Sequence, residues 1–409
     1  MPHDDLKVEI CRAIEAMRGP LIKVSRAIHA RPELAFQEYY AHELLTASLR
    51  DSGLSVGSSG AYGLETAFET QFGATDGPCV ALLAEYDALP GIGHACGHNL
   101  IATSALGAAL ALYGVAAMLP GKVRLLGTPA EESGGGKELM IRQGAFAGVD
   151  AAMMIHPAGI NLATMPTIAW SEVKVSYHGV SSHASAMPER GVNALDGLIT
   201  AYNAIAMLRQ HIRPDERIHG VILKGGDAPN IVPEFASGHF YVRAKNMKAL
   251  DALRPRVMAC FEAGARATGA SLTAEWGDVD YLDLITNWPI ARHYQANGES
   301  LGRVFTPLEK LPSSVNGSTD MGNVSYLVPS IHPMLACAPP HVSIHNPEFA
   351  RYAGSDSGDQ AAIDGAKTLA MTVLDYLFDG DLRAEARRAF EKSKQIAAIE
   401  RASGTGTAE

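Results

Sequence analysis

Residues 79–100 have the sequence CVALLAEYDALPGIGHACGHNL, an apolar run that leads into a glycine-rich polar turn. The run is typical of a buried strand. The turn groups chemically active side chains within a short stretch: Glu85, Asp87, His94, Cys96 and His98. Thiolate and imidazole groups suit a divalent ion such as zinc, and carboxylates complete or orient such sites. A buried cysteine beside a capped helix start would produce the same pattern, so both interpretations stay open for this segment alone.

Two further apolar runs also end in polar residues. The run KVRLLGTPAEE ends at Glu131 and Glu132, and the run AAMMIHP ends at His156 and a proline. Because helical stretches separate these runs, they predict parallel strands of an α/β sheet. Ligands of open α/β sheets bind at the carboxyl ends of the strands, so we expect these residues and Asp87 to converge there.

The middle of the chain has a different character. Residues 169–281 contain segments in the order strand, helix, strand, strand, helix, strand, which predicts a small α+β sandwich. Patterns like those of the first part resume at about residue 282. We therefore expect an α/β catalytic domain of residues 1–168 and 282–409, with a mixed sheet flanked by helices and interrupted by the inserted domain of residues 169–281.

Composition and charge exclude several classes of partner. The formal charge of -10 comes without a block of lysine and arginine, so we expect no nucleic acid partner. Five scattered cysteines favour a reducing compartment, and the acidic N-terminus is unlike a signal peptide. The apolar run at 100–119 is rich in Ala and Gly and predicts a buried helix. We expect a cytoplasmic protein that does not bind membranes.

The other polar residues carry weak signals individually. An acidic pair such as Glu131 and Glu132 is usually solvated surface, and one histidine such as His156 or His345 is more often structural than catalytic. Their joint placement changes this judgement. Together with the thiol and imidazole of the glycine-rich turn they supply five ligands and one spare carboxylate, which favours metal-dependent catalysis.

Motifs over nearly the whole chain resemble the aminoacylase/carboxypeptidase G family of dinuclear metallopeptidases. The similarity is greatest to its amidohydrolase branch, which contains indole-acetyl-amino-acid hydrolases and p-aminobenzoyl-glutamate hydrolase. The motifs are HARPELAFQE, EYDALPGIGHACGHN, TPAEESGGGK, MIHP, YHGVSSHAS, GGDAPNIVPEFASGHFYVR, GSTDMGNVS and HNPEF. The resemblance implies a catalytic α/β domain interrupted by a lid or dimerisation domain, and a hydrolase that cleaves carbon–nitrogen bonds.

The resemblance also implies a metal site in each subunit. Cys96 would bridge two divalent ions, either zinc or manganese. The remaining ligands would be Glu132 and His345 for one ion, and His98 and His156 for the other. Asn99 stands where many members of this branch carry Asp, which leaves the choice between the two metals open.

Further residues receive roles from the resemblance. Asp87 would support the ligands, and Glu131 would be the general base that moves a proton from water to the leaving amine. His183 would stabilise the oxyanion, and Asn230 and Arg243 would bind the substrate, with Arg243 clamping a carboxylate. The substrate pocket would be shaped by Gly317, Ser318 and Thr319.

The predicted function is a metal-dependent amidohydrolase. Its substrate would be an N-acyl amino acid, an aminobenzoyl-amino acid or a dipeptide-like amide that bears a carboxylate, attacked by a metal-bound hydroxide. By the resemblance, the chain forms a homodimer through the inserted domain, with His183 reaching the partner's metals. A hydrolytic deaminase of an aromatic amino acid or aminobenzoate would use the same site and is the alternative. A non-catalytic binding protein would be expected to lack Glu131 or a ligand, and this chain retains them.

Overall fold

The protein divides into two compact units. A computed structural model describes residues 3–57, 60–311 and 317–402. Unit 1 comprises Met1–Pro166 and Leu284–Ile396, and unit 2 comprises Thr167–Asp283 and the last described residues, from Ala397 onward. The expected α/β class with an inserted domain is confirmed, because unit 2 interrupts unit 1 in the sequence. The ends of the predicted catalytic domain, residues 1–2 and 403–409, lie outside the described residues.

Unit 1 begins with helices and continues with strands and helices in alternation. The first helices are α1 (Asp4–Ala16), α2 (Arg18–Ala30) and α3 (Tyr39–Asp51). They are followed by β1 (Phe68–Gly73), β2 (Cys79–Ala84), α4 (His98–Gly114), β3 (Lys122–Gly127), α5 (Gly136–Arg142), β4 (Ala151–Met153) and β5 (His156–Ala158).

Unit 2 is an antiparallel sheet with helices on one face. Its elements are β6 (Ala169–His178), α6 (Ala194–Leu208), β7 (Arg217–Lys224), β8 (Phe235–Ala244), α7 (Met247–Thr268) and β9 (Ser271–Trp276). The side chains of Asn193 and Asn246 accept hydrogen bonds from the first turns of α6 and α7, which is why these helices begin there. The sheet has the strand order β7-β8-β6-β9.

Unit 1 resumes after the insertion. Its remaining elements are α8 (Trp288–Ser300), α9 (Met321–Ser325), β10 (Ser330–Ile331), β11 (Met334–Ala336), α10 (Pro347–Ala353), α11 (Asp356–Phe378) and α12 (Gly380–Ala402). The strand β11 pairs in parallel with β5, and β10 pairs in parallel with β4. The returning chain therefore extends the sheets that the first half began.

The main sheet of unit 1 sets the position of the polar residues. Its strand order is β1-β3-β2-β4-β10, with β2 parallel to β3 and β4 and with β1 antiparallel to β3. Every residue of β2 is buried, as expected for a strand covered on both faces. The register places Ala84 opposite Gly127 and Leu82 opposite Met153. The chain therefore leaves β2, β3 and β4 at one edge of the sheet.

The apolar run at 100–119 lies largely in α4, which is buried on almost every side. Small residues let the neighbouring helices approach this helix closely. A Cβ on Gly107 would lie 3.0 Å from the side chains of Leu21 and Ala366. The predicted buried helix is thus confirmed. Within the described part of the chain, no helix is both long enough and apolar enough to cross a membrane.

The carboxylate of Asp375 joins three helices of unit 1. It lies 2.6 Å from Lys7 Nζ and 2.8 Å from His3 Nε2, and it accepts a hydrogen bond of 2.8 Å from the Asn297 amide. Burial alone would raise the pKa of Asp375, but hydrogen bonds from His293, Lys7 and the other donors outweigh it and hold the pKa well below its usual range. The buried carboxylate is therefore ionised and fully paired.

We expect Asp375→Asn to destabilise the protein by about 3 kcal/mol at neutral pH, because Lys7 and His3 lose the charge that compensates them. The lowered pKa of Asp375 gives the wild type a stability advantage that is complete above the unfolded-state pKa of about 4 and is lost as the pH falls below it. Chemical denaturation at several pH values measures this. Asp356→Asn is the control, because Asp356 is fully exposed and its pair with Arg26 contributes at most about 1 kcal/mol. Equal stabilities of the two variants would contradict this account.

Candidate active site

Polar residues converge where the strands of the main sheet end. Glu85 directly follows β2, Glu131 and Glu132 follow β3, and His156 begins β5 shortly after β4. Cys96 lies in the turn between β2 and α4. The aligned strand ends explain why residues far apart in the sequence meet here.

The turn that presents Cys96 requires a glycine. Gly97 has a φ of 79°, and a Cβ on it would lie 2.9 Å from Pro157 Cγ. His98 follows as the first residue of α4. Ala130 and His345 also have positive φ values, of 61° each, which few non-glycine residues adopt. Such strained positions next to a polar cluster are typical of functional sites.

Two groups of potential metal ligands share Cys96. In the first, Cys96, His98 and His156 place their ligand atoms within 4.8 Å of one another, and in the second, Cys96, Glu132 and His345 do the same. Cys96 Sγ lies 3.3 Å from His156 Nε2 and 3.5 Å from His345 Nε2. The Nε2 atom of His345 lies 3.4 Å from Glu132 Oε2. The five residues expected to ligate metal are therefore adjacent in unit 1.

Contacts on the side facing away from the cluster fix the orientation of these side chains. Asp87 Oδ1 lies 3.0 Å from His98 Nδ1, and Asp87 Oδ2 accepts a hydrogen bond of 2.9 Å from the Glu132 backbone. His156 Nδ1 lies 2.7 Å from the carbonyl oxygen of Pro157. Both imidazoles therefore direct Nε2 toward the cluster, which is how the far nitrogen of a metal-binding histidine is usually held.

The spacing of these atoms fits two divalent ions. Metal–nitrogen bonds of about 2.0–2.1 Å and metal–sulfur bonds of about 2.3 Å separate neighbouring ligands of a tetrahedral ion by roughly 3.3–3.6 Å, which matches the distances around Cys96. Within the described residues, buried His98 Nε2, Glu132 Oε1 and Glu85 Oε1 have no hydrogen-bond partner. Glu85 Oε1 and Glu132 Oε1 lie 3.3 Å and 3.7 Å from His98 Nε2, so positive charge at this point, from a bound cation or from a proton on His98, would compensate them.

The charges of the cluster lead to the same conclusion. Burial raises the pKa of the Cys96 thiol well above its usual value, and burial together with Glu85 and Glu132 does the same for the pKa of Glu131. Burial lowers the pKa of His156 to about 4. Burial alone would lower the pKa of His98, but Glu85, Cys96 and Asp87 outweigh it and raise this pKa well above its usual value. The cluster therefore combines carboxylates and a thiol with a need for nearby positive charge, which divalent cations would supply.

A buried ion pair network lies beside the cluster, and the sequence did not indicate it. Lys137 Nζ, fully buried, lies 2.6 Å from Glu85 Oε2 and 2.7 Å from Asp320 Oδ1. Burial alone would lower the pKa of Lys137, but Asp320 and Glu85 outweigh it and raise this pKa. The other oxygen of Glu85 lies 3.3 Å from His98 Nε2. The available signal was a single lysine in the motif TPAEESGGGK, close to Glu131.

Two residues of the glycine-rich turn have structural contacts. His94 belongs to neither ligand group within the described residues, and its ring stacks at 6.1 Å from His29. Asn99 donates hydrogen bonds to Ser25 Oγ at 2.9 Å and to the Ala353 carbonyl at 3.0 Å, so it joins α4 to α2 and α10. Asn99 therefore affects the packing of helices. These hydrogen bonds are to residues that are not expected metal ligands, so they do not indicate which metal the site prefers.

The expected pocket segment lies next to the Lys137 network. Gly317 donates a backbone hydrogen bond of 3.0 Å to Pro166, and a Cβ on it would lie 2.4 Å from Met165 Cε. Ser318 is half-buried. The hydroxyl of Thr319 is buried and accepts a hydrogen bond of 3.2 Å from the backbone of Met321, the first residue of α9.

The three site residues expected in the inserted domain lie in unit 2, at opposite ends of its sheet. His183 and Asn230 are both exposed, and they are neighbours because Ala184 donates a backbone hydrogen bond of 3.0 Å to Asn230. They lie beyond the Phe235 end of β8. Arg243 lies eight residues further along that strand, a separation of roughly 26 Å at the usual rise of a β-strand.

Comparisons with known proteins agree with this architecture. Residues 168–268 match the M20 family domain described as a peptidase dimerisation domain. The chain is 41% identical to Xaa-Arg dipeptidase of Mus musculus over 398 residues, which covers 94% of this chain and 92% of that protein. It is 27% identical to one of the polypeptides of p-aminobenzoyl-glutamate hydrolase from Escherichia coli, covering 92% of this chain and 93% of that protein.

Solved structures show the same fold. A dinuclear metal-binding peptidase of the M20 family from Bacillus subtilis superposes with a TM-score of 0.68 at 20% identity, covering 89% of this chain and 99% of that one. An aminobenzoyl-glutamate utilization protein from Klebsiella pneumoniae superposes with a TM-score of 0.69 at 17% identity, covering 88% and 97%. The chain belongs to the M20 family of metal-dependent peptidases and amidohydrolases, and it is a hydrolase of carbon–nitrogen bonds.

Proposed function

We propose that this protein is a dipeptidase that uses two divalent metal ions, zinc or manganese, to cleave a dipeptide with a free carboxylate and a basic C-terminal residue. The observation that carries the proposal is the pair of ligand groups that share Cys96. The carboxylate of Glu131 lies outside these two groups, in a third group with Glu85 and His98 that does not include Cys96, and we assign it to proton transfer. The basic C-terminal residue is proposed because two relatives, from Mus musculus and Homo sapiens at 41% and 39% identity, are Xaa-Arg dipeptidases.

We assign one ion to each ligand group, with Cys96 contributing to both. When bound, the ions would supply Lewis acidity, which polarises the amide carbonyl and makes water more acidic. Asp87 would keep His98 and the Glu132 backbone in place while the metal ions bind, since it already contacts both.

The remaining steps are assigned to side chains of this protein. Glu131 removes a proton from the attacking water as the water oxygen bonds to the amide carbon, and it delivers that proton to the nitrogen as the carbon–nitrogen bond breaks. His183 stabilises the negative charge that develops on the carbonyl oxygen. Arg243 holds the carboxylate of the substrate through two hydrogen bonds. The products are a carboxylic acid and an amine.

We propose that a homodimer supplies these groups to each site. A dipeptide spans at most about 7 Å, so it cannot contact both ends of the unit 2 sheet in one chain. A partner copy can supply His183 and Asn230 while the first chain supplies Arg243. The edge strand β7 supports such pairing, because Val221 and Leu223 are 58% and 61% exposed and a long apolar edge favours association.

The roles of the two adjacent glutamates can be separated. We expect Glu131→Gln to keep both metal ions and to lose turnover by about 10²–10⁴-fold, because an amide cannot carry the proton. Glu132→Gln should lose metal as well as activity. Elemental analysis and steady-state kinetics test both variants, with Glu138→Gln on α5 as the control. Near wild-type turnover by Glu131→Gln would show that another group is the base.

Mixing two inactive variants tests the dimer. Neither His183→Ala nor Glu131→Ala should be active alone, but a mixed dimer would contain one site with Glu131 and the partner's His183. Under random exchange about a quarter of wild-type activity should return, since half of the dimers are mixed and each has one intact site.

The control for this experiment mixes Glu131→Ala with Glu132→Ala, which restores no intact site in any dimer. Native mass spectrometry verifies that subunits exchange. Confirmed exchange without recovered activity in the His183→Ala mixture would mean that His183 acts within its own chain. A His183→Ala variant that is active alone would mean that His183 has no catalytic role.

A further inference from the structure

One face of the unit 2 sheet is polar and aromatic. Residues of β8 alternate between the helix-facing core and the opposite face, which is half-buried. Phe240 and Val242 pack in the core with α6 and α7. Tyr241 and Arg243 therefore point to the opposite face. The pairing of β6 with β8 places Glu172 opposite Tyr241 and Trp170 opposite Arg243, on that same face.

An aromatic platform holds the guanidinium of Arg243. The rings of Trp170 and Tyr241 lie 4.7 Å apart, and Tyr281 stacks on Trp170 at 4.8 Å. Arg243 lies over both Trp170 and Tyr241, at 5.4 Å and 5.8 Å from their centroids. Its Nε donates a hydrogen bond of 3.2 Å to His219 Nε2. The ring faces and the bond to His219 both contribute to the orientation of the guanidinium.

Glu172 is the acidic neighbour of this platform. Its side chain is 32% exposed, so a ligand can reach it. His239 Nε2 lies 2.7 Å from one of its oxygens, and its stem packs against Gly277, where a Cβ would lie 2.7 Å from Glu172 Cγ. A carboxylate offers two oxygens with about four acceptor positions, so the contact with His239 orients the group and leaves acceptor capacity for a second donor.

Glu172 and Arg243 are diagonal neighbours on β6 and β8 and share one face of the sheet. Diagonal neighbours on adjacent antiparallel strands are about 7–8 Å apart. The carboxylate of an extended lysine or arginine could therefore approach Arg243 while its terminal cation approaches Glu172, with its stem beside the ring of Tyr241. The ring face would attract the cation, and the carboxylate beyond it would pair with the cation.

We propose that Glu172 binds the cationic side chain of the substrate's C-terminal residue, while Arg243 binds the carboxylate of that same residue. The inference rests on the proposed function and adds the residue that selects the substrate. Arg243 alone would accept any C-terminal residue, whereas the pair of charges selects a basic one.

A neutral isostere of arginine tests this selection. Wild-type protein loaded with manganese is assayed with alanyl-arginine and alanyl-citrulline, which differ in charge and hardly in shape. We expect kcat/KM to favour alanyl-arginine by about 10- to 100-fold. Glu172→Gln should bring the ratio close to one, mainly through a higher KM for alanyl-arginine. Glu275→Gln, on β9 of the same sheet, is the matched control and should keep the wild-type ratio.

Calorimetry with free arginine and free citrulline separates this inference from the proposed function. If the wild type cleaves neither dipeptide, the proposed function fails, and Glu172 is judged by binding alone. Tighter binding of arginine than citrulline that disappears in Glu172→Gln, with an unchanged melting temperature, supports the inference. A wild type without preference for arginine, or a Glu172→Gln variant that keeps the preference, overturns it.

Discussion

The site depends on one thiol that belongs to two ligand groups. Cys96 lies within bonding reach of a position shared with His98 and His156, and of another shared with Glu132 and His345. Its place is set by Gly97, whose backbone conformation and missing Cβ let the turn pass close to Pro157. The parallel strands then deliver the remaining ligands to the same edge of the sheet. Moving the thiol would separate the two groups.

Burial gives this arrangement its chemical character. Carboxylates and a thiolate packed away from water stay ionised only where positive charge compensates them. Lys137 provides one such charge, and it anchors Glu85 and Asp320 in the same network. Divalent ions would provide the rest. The fold around the cluster is therefore arranged for cations, with Asp87 and the backbone orienting the ligands.

Much of this could be predicted from the sequence, because both strand ends and ligand types are local features. An apolar run that ends in Glu131 or His156 predicts a buried strand whose last, polar residues lie at the edge of the sheet. The pairing of Lys137 with Asp320 could not be predicted in this way, since the two residues are 183 positions apart and nothing in the motifs that contain them, TPAEESGGGK and GSTDMGNVS, indicates that they pair. Asn99 also illustrates the limit of local reasoning, because its partners come from helices remote in sequence.

In unit 2, too, local features could be predicted from the sequence, whereas contacts between strands could not. Alternation along β8 predicts which residues share a face, but the separation of His183 from Arg243 depends on how the strands pair. The proximity of Glu172 to Arg243 likewise follows only from the register of β6 and β8, which makes the two residues diagonal neighbours. The spacing of these residues in the sequence predicts neither the separation of His183 from Arg243 nor the position of Glu172.

The central claim is that Cys96 holds two ions, and anomalous X-ray diffraction from crystals of the zinc- or manganese-loaded protein tests it most directly. The account predicts two anomalous peaks in each chain, about 3.5–4 Å apart, each at bonding distance from Cys96 Sγ, which is about 2.3 Å for zinc. A single peak, or two peaks of which one or both lie beyond bonding distance from Cys96, would contradict it.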